Sequence, residues 1–211
     1  MSDVEVVRGR EVTIRFEAGK CIHSRNCVLG RPDVFVPNVK GEWIHPDNAT
    51  VGEATHLALT CPSGAIQVER GDGAALEPAP VVNTAHVREN GPLALHAPLT
   101  IAGRAAGYRA TLCRCGASAN KPYCDGSHSR VAFQASGEPA TKESEALPVR
   151  NGPLTVTPAP NGPLRVQGPL ELVTGTGRTI LRTNETYLCR CGGSANKPYC
   201  DGTHKRNGFV G

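Results

Sequence analysis

Two copies of one cysteine and histidine pattern dominate the chemistry of this 211-residue chain. The donor side chains of the two copies are Cys113, Cys115, Cys124 and His128, then Cys189, Cys191, Cys200 and His204. The two 19-residue segments that carry them, starting at Leu112 and Leu188, differ at only three positions. Thiolates and imidazoles bind metals such as iron and zinc. The repeated pattern therefore predicts two metal centres.

The spacing within each copy indicates two chelating pairs. Residues i and i+2 of an extended chain point to the same side, so Cys113 and Cys115 can bind one metal atom. Pro122 favours the start of a helix, on which Cys124 and His128 would share a face. Ser118 in the intervening loop is predicted to donate to a cluster sulfur. Two facing pairs suit a two-iron cluster, and structural zinc held by the same Cys₃His set is the alternative.

The full motif carries a family resemblance. Residues 113–128 read CRCGASANKPYCDGSH and residues 189–204 read CRCGGSANKPYCDGTH. This pattern resembles the CDGSH iron–sulfur domain of the mitoNEET family, and with its flanking strands the resemblance covers roughly residues 86 to 211. The resemblance implies one [2Fe–2S] cluster in each copy, held by three cysteines and one histidine. The chain departs from the mitochondrial members in lacking a membrane anchor, so their outer-membrane location is not expected here.

Three further cysteines lie near the N-terminus, at Cys21, Cys27 and Cys61. Bacterial ferredoxins use C-x₂-C-x₂-C with a distant Cys-Pro. The segment resembles the short single-cluster ferredoxins with three cysteines, because Ser24 stands at the middle position and Pro62 follows Cys61. This resemblance implies a [3Fe–4S] cluster, or a [4Fe–4S] cluster with a weak fourth ligand such as His23. The alternative is a ferredoxin-like fold that has lost its cluster and keeps buried or disulfide-bonded cysteines.

Composition indicates the cellular compartment of the protein and the classes of partner it is expected to bind. No apolar stretch approaches 18 residues, and the N-terminus lacks the features of a signal peptide, so we expect a cytoplasmic protein that binds no membrane. Nine cysteines in a reducing cytoplasm are metal ligands more often than disulfides, and an odd number cannot pair completely. The net charge of +4 is unclustered, which argues against nucleic-acid binding.

The order of elements predicts an α+β fold, and the two resemblances imply a small ferredoxin-like N-terminal domain followed by two β-rich CDGSH units. We place the N-terminal domain at residues 1–70, a Gly/Pro-rich linker at 71–85, and the two units at 86–150 and 151–211. The tetrapeptide Asn-Gly-Pro-Leu, at residues 90, 151 and 161, opens a short strand each time. Since the family's domain resembles an intertwined homodimer, the two units are predicted to form an intramolecular pseudo-dimer within a monomer.

The N-terminal domain has its own pattern of elements. Residues 12–16 alternate between apolar and polar side chains, which predicts a strand. A helix capped by Asn48 is predicted to run through Leu59, and a returning strand to follow at residues 65–68.

The expected function is electron transfer by an iron–sulfur protein, not enzymatic catalysis. Storage or transfer of iron–sulfur clusters is the second candidate, because histidine ligation makes cluster release sensitive to protons. A zinc-stabilised interaction module is the third. The expected partner is a redox protein or an apo-protein that accepts a cluster.

Overall fold

The structure is a computed structural model that describes residues 4–211. The chain forms two compact units, one extending to Pro78 and the other spanning Ala79–Gly211. The division between them lies inside the segment 71–85 that was predicted as a linker. Within the described residues, no helix has the length and apolar character needed to cross a membrane.

The N-terminal unit is a three-stranded antiparallel sheet covered by two helices. The strands are β1 (Val4–Arg8), β2 (Val12–Glu17) and β3 (Ile66–Arg70), in the spatial order β1-β2-β3. The helices are α1 (Asn26–Gly30) and α2 (Val51–Leu59). The predicted strands at 12–16 and 65–68 correspond to β2 and β3, and the buried faces of both strands pack with Leu57 and Ala54 of α2.

The start of α2 corrects one prediction. Thr50, not Asn48, caps the helix: its hydroxyl accepts from the Glu53 amide, and the Glu53 carboxylate accepts from the Thr50 amide. This reciprocal capping box satisfies two backbone donors that a helix start leaves free. Asn48 instead ends a 3₁₀ turn, and its side-chain amide donates to the carbonyl of Asp33.

The C-terminal unit is built on one six-stranded sheet. Its strands are β4 (Thr84–Val87), β5 (Leu93–Ile101), β6 (Arg104–Leu112), β7 (Leu154–Pro158), β8 (Leu164–Val173) and β9 (Thr179–Leu188). The prediction for Asn-Gly-Pro-Leu is confirmed at all three sites, because its leucine is the first residue of β5, β7 and β8. Its proline fixes φ and has no amide hydrogen, which suits the residue before a strand.

The two repeats exchange strands within this sheet. In each repeat a short strand pairs antiparallel with the next one, β4 with β5 and β7 with β8. Each short strand also pairs parallel with the long strand of the other repeat, β4 with β8 and β7 with β5. The two sets of pairings are related by a pseudo-two-fold, so the predicted α+β fold with an intramolecular pseudo-dimer is confirmed.

The core of this unit also combines both repeats. Buried leucine and valine side chains from β5 and β6 form one cluster with those from β7, β8 and β9. Neither repeat encloses such a core by itself, since small units bury too little apolar surface. The shared core fixes the ends of β6 and β9, and each of those strands runs directly into a cysteine motif.

Candidate metal centres

Each motif folds back on the strand that leads into it. Leu112 at the end of β6 forms an antiparallel bridge with Tyr123, and Cys113 N–H donates to the carbonyl of Pro122 at 2.8 Å. Cys124 N–H donates in turn to the carbonyl of Thr111 at 2.9 Å. These bonds bring the Cys-x-Cys segment beside the third cysteine. The second motif repeats the arrangement, with a bridge between Leu188 and Tyr199.

The donor atoms of each motif form two close pairs. The Sγ atoms of Cys113 and Cys115 are 3.7 Å apart, and those of Cys189 and Cys191 are 3.8 Å apart. The Sγ of the third cysteine lies 3.4 Å from Nδ1 of the histidine in both motifs, Cys124 with His128 and Cys200 with His204. Within residues 4–211, no three such side chains converge on a point that would hold a single metal ion. Each close pair has the spacing at which two donors can bind one metal atom.

The cysteine–histidine pair reaches this distance without the predicted helix. Residues 124–126 are not helical, and α3 spans only Ser127–Arg130, with Gly126 before it at φ 81°. In the second motif the same region is a 3₁₀ turn at Thr203–Lys205. The prediction that Cys124 and His128 share a helix face was wrong, because the left-handed glycine turns the chain between the two ligands.

Backbone amides face the sulfur atoms. The amides of Ala117 and Gly126 each lie 3.4 Å from the Sγ of Cys115 and Cys124, and equivalent amides serve the second motif. A hydrogen bond from the Cys115 thiol, together with backbone amides and against the effect of burial, lowers the pKa of Cys113 to about 6. Amides that favour thiolates also favour metal binding, because the thiolate is the ligand form.

The histidine is held in its ligand form by its surroundings. Burial lowers the pKa of His128 below its ordinary value, although the carboxylate of Asp125 opposes this effect. A neutral imidazole is the form that binds metal. Both histidines are only half-buried, whereas Cys113 and Cys189 are almost fully buried. Solvent therefore has better access to the histidine end of each donor set.

The aspartate in each motif ties the loop together. Asp125 accepts from the amides of Ala119 and Ser127, both at 2.9 Å, and these bonds outweigh burial and lower its pKa to about 2. Asp201 has the equivalent bonds in the second motif. Ser118 was predicted to donate to a cluster sulfur, but its hydroxyl donates instead to the carbonyl of Tyr123 at 2.6 Å.

An arginine between the first two cysteines of each motif is buried. Arg114 is 1% exposed and donates to the carbonyls of Gly91, Arg88, Ala135 and Ser136. Arg190 is 3% exposed and donates to the carbonyls of Gly162, Ala159 and Gly211. Each guanidinium also faces an aromatic ring, Phe133 or Phe209. The sequence patterns considered above did not point to these arginines, although an arginine at the same position of both motifs was a signal that could have identified them.

The three N-terminal cysteines line one cavity of about 610 Å³. Cys21 and Cys27 are half-buried, and Cys61 is buried. The walls of the cavity also include the rings of Phe16 and Trp43. Burial raises the pKa of both Cys21 and Cys27, and the neighbouring Cys61 raises each further. Mutual repulsion of this kind is relieved when a cation binds the thiolates.

His23 lies at the same cavity. Its Nδ1 is 4.0 Å from the Sγ of Cys21, and its amide donates to that sulfur at 3.4 Å. Ser24, at the middle position of the ferredoxin pattern, is exposed in the loop beside it.

All three donor sets fit iron–sulfur chemistry. Every cysteine is a free thiol, so the described residues contain no competing disulfide. Iron–sulfur clusters are held by thiolates, in some centres with imidazoles, and hydrogen bonds to the sulfurs tune their potentials. The paired C-terminal donors with their facing amides supply both features.

Comparison with known protein families agrees with this chemistry. A family described as "Iron-binding zinc finger CDGSH type" matches residues 86–129 and again residues 161–205. A second family, described as "Divergent 4Fe-4S mono-cluster", matches residues 7–71. The two matches to the first family contain the two repeated motifs, and the match to the second contains the three N-terminal cysteines.

Two curated relatives are similar to part of the chain. Both are described as "Uncharacterized protein YjdI", one from Escherichia coli strain K12 and one from Escherichia coli O157:H7. Each is 38% identical over 60 residues, which is 28% of this chain and 76% of the relative. The similarity thus extends over most of a much shorter protein.

Proposed function

Because the chain belongs to the CDGSH-type iron–sulfur proteins and carries a divergent 4Fe–4S mono-cluster domain, we propose that it is an electron carrier with two [2Fe–2S] clusters. The first cluster would be held by Cys113, Cys115, Cys124 and His128, and the second by Cys189, Cys191, Cys200 and His204. The proposal assigns no catalytic reaction to the chain. Its partner would be another redox protein in a reducing, cytoplasmic compartment.

The pairing of donors carries this proposal. A structural zinc ion takes four ligands around one point. A two-iron cluster takes two protein ligands at each iron, and each of the two pairs, with donor separations of 3.7 Å and 3.4 Å, has the spacing that one iron requires. The chemistry that such a cluster supplies is one-electron transfer without a large rearrangement of the protein.

A third cluster in the N-terminal cavity extends the proposal. Cys21, Cys27 and Cys61 provide three thiolates, which suit a [3Fe–4S] cluster or a [4Fe–4S] cluster completed by His23. The presence of centres of different types in one chain favours electron transfer over storage of metal.

Cluster donation is the second candidate function. It is supported by the half-buried histidine of each donor set, which gives protons access to one ligand. Incubation of the loaded chain with an apo-ferredoxin separates the two functions: a donor passes on its clusters, whereas a carrier keeps them while its redox state changes.

Metal and sulfide analysis of anaerobically purified protein tests the cluster content. We expect about four irons and four sulfides per chain from the C-terminal unit, together with visible absorbance that bleaches on reduction. Additional iron belongs to the N-terminal site. Stoichiometric zinc in a colourless protein would contradict the proposal.

A further inference from the structure

The two C-terminal motifs meet backbone to backbone. Cys115 and Cys191, one ligand from each donor set, form an antiparallel bridge. In that register Gly116 lies opposite Arg190, and Gly192 lies opposite Arg114. We call this contact the seam, made of Cys115–Gly116 and Cys191–Gly192.

The seam is too tight for a side chain at either glycine. A Cβ on Gly116 would lie less than 3.0 Å from the carbonyl of Cys191, and a Cβ on Gly192 would lie equally close to the carbonyl of Cys115. Both obstacles are backbone atoms of a ligand residue in the opposite repeat. The glycine of one motif thus sets how closely the ligand segment of the other can approach.

The charges at the seam are crossed in the same way. Arg190 interacts electrostatically with Cys113 across the seam, and Arg114 interacts with Cys189 across the seam as well as with Glu89 and with Cys115 of its own motif. Both guanidinium groups are buried and bond to neutral carbonyls, so their positive charge is screened little by water. A cation near an iron–sulfur centre stabilises its reduced, more negative form.

We propose that each Cys-x-Cys segment positions the cluster of the opposite repeat, so that a change on one side of the seam alters the stability and the potential of the cluster on the other side. The glycine supplies the close approach and the arginine supplies the charge. These residues are positioning residues for a cluster they do not bind. The inference rests on the proposed function, since it requires both clusters to be present.

Matched glycine variants test the steric half of the coupling. G192A and G177A lie in the same repeat at positive φ, +76° and +97°, but Gly177, in the turn between β8 and β9, lies outside the donor motif and has nothing within 4 Å of an added Cβ. Both variants carry the backbone strain of a side chain at positive φ, and only G192A strikes the seam. A background substitution, H128C, identifies the first cluster because exchange of imidazole for thiolate lowers its potential.

The expected result is that a change in the second repeat alters the first cluster. In the full-length H128C chain, G192A should speed loss of the tagged first cluster about tenfold and shift its potential, whereas G177A should leave both values unchanged. In an H204C chain the reciprocal variant G116A should act in the same way on the second cluster, and its control G103A, in the turn between β5 and β6 with nothing within 4 Å of an added Cβ, should not. Equal effects of G192A and G177A on the first cluster, or effects of G192A confined to the second, would overturn the inference.

The charge variants provide an independent arm if G192A does not load clusters. R190Q removes the charge that faces Cys113, and R190K retains it while losing the same planar hydrogen bonds. R190Q should lower the potential of the tagged first cluster more than R190K does. A shift confined to the second cluster, or the same shift in both variants, counts against the crossed arrangement. Wild-type protein without iron and sulfide would refute the proposed function, whereas loaded wild type with independent sites would refute only this inference.

Discussion

Replacing Arg114 by lysine should destabilise the C-terminal unit while keeping its charge. The guanidinium makes four hydrogen bonds to carbonyls on two separate segments: the turn between β4 and β5, and the chain that follows α3. Lysine presents its donors from one nitrogen and cannot span these segments. We expect about two of the four bonds to be lost.

The size of the effect follows from those bonds. A hydrogen bond to a charged group contributes about 1.5 kcal/mol or more, so two lost bonds cost about 3 kcal/mol. For a chain of this length, each kcal/mol lowers the melting temperature by about 2–4 °C, so R114K should melt roughly 10 °C below wild type. R190K should cost less, because Arg190 makes three such bonds.

Far-UV circular dichroism and visible absorbance, recorded together during thermal unfolding, provide the assay. R104K changes an exposed arginine on β6 and serves as the control for the substitution itself. A melting temperature for R114K within about 2 °C of wild type would refute the role of the carbonyl bonds. A larger loss in R190K than in R114K would refute the count of bonds as the source of the cost.

Three further predictions concern other groups. Burial raises the pKa of Glu171, but Arg150 and Arg182 outweigh it and hold this pKa below its usual value. The carboxylate therefore stabilises the fold above about pH 4.5, and the stabilisation disappears as the pH falls through the lowered pKa. E171Q should lower the free energy of unfolding by about 2 kcal/mol at pH 7, and this free energy, measured by urea titration, should then change less as the pH is lowered. The same loss of stability at every pH would contradict the prediction. H128C and H204C should each make the visible absorbance of one cluster more resistant to mild acid, because a protonated imidazole cannot bind metal; equal decay in both variants and wild type would show that histidine does not control release. A cluster in the N-terminal cavity should quench the fluorescence of Trp43, the single tryptophan of the chain, and C61S should restore it while C200S should not.

The sequence was most informative where structure depends on neighbouring residues. Each Asn-Gly-Pro-Leu predicts a strand start, because proline and the turn before it act locally. The cap of α2 was also readable, since Thr50 and Glu53 have the spacing of a capping box, and the choice of Asn48 overlooked that pair. The helix predicted from Cys124 to His128 overlooked Gly126, whose left-handed conformation breaks the run.

The exchange of strands lies beyond local patterns. The parallel pairs β4 with β8 and β5 with β7 join residues far apart in the chain, and their strands would have the same alternation whichever partner they had. The resemblance to an intertwined dimer predicted the pseudo-symmetry but not which strands cross. Local patterns do not predict the seam either, because nothing in the sequence of one motif requires Cys115 to contact Cys191.

Fusion of two repeats into one chain also removes a constraint that a homodimer imposes. In a homodimer the two subunits are identical, so both centres have the same surroundings. In this chain the segment that connects the two repeats occurs only once, so it can contact one centre and not the other. Lys142 lies in that segment, where its amide donates to the carbonyl of Ile180. Its Nζ sits 3.5 Å from the ring of Tyr199, the residue before the ligand Cys200. The second centre therefore has a cation from a segment that has no duplicate, and the two centres differ in electrostatic surroundings even though their donor sets are the same.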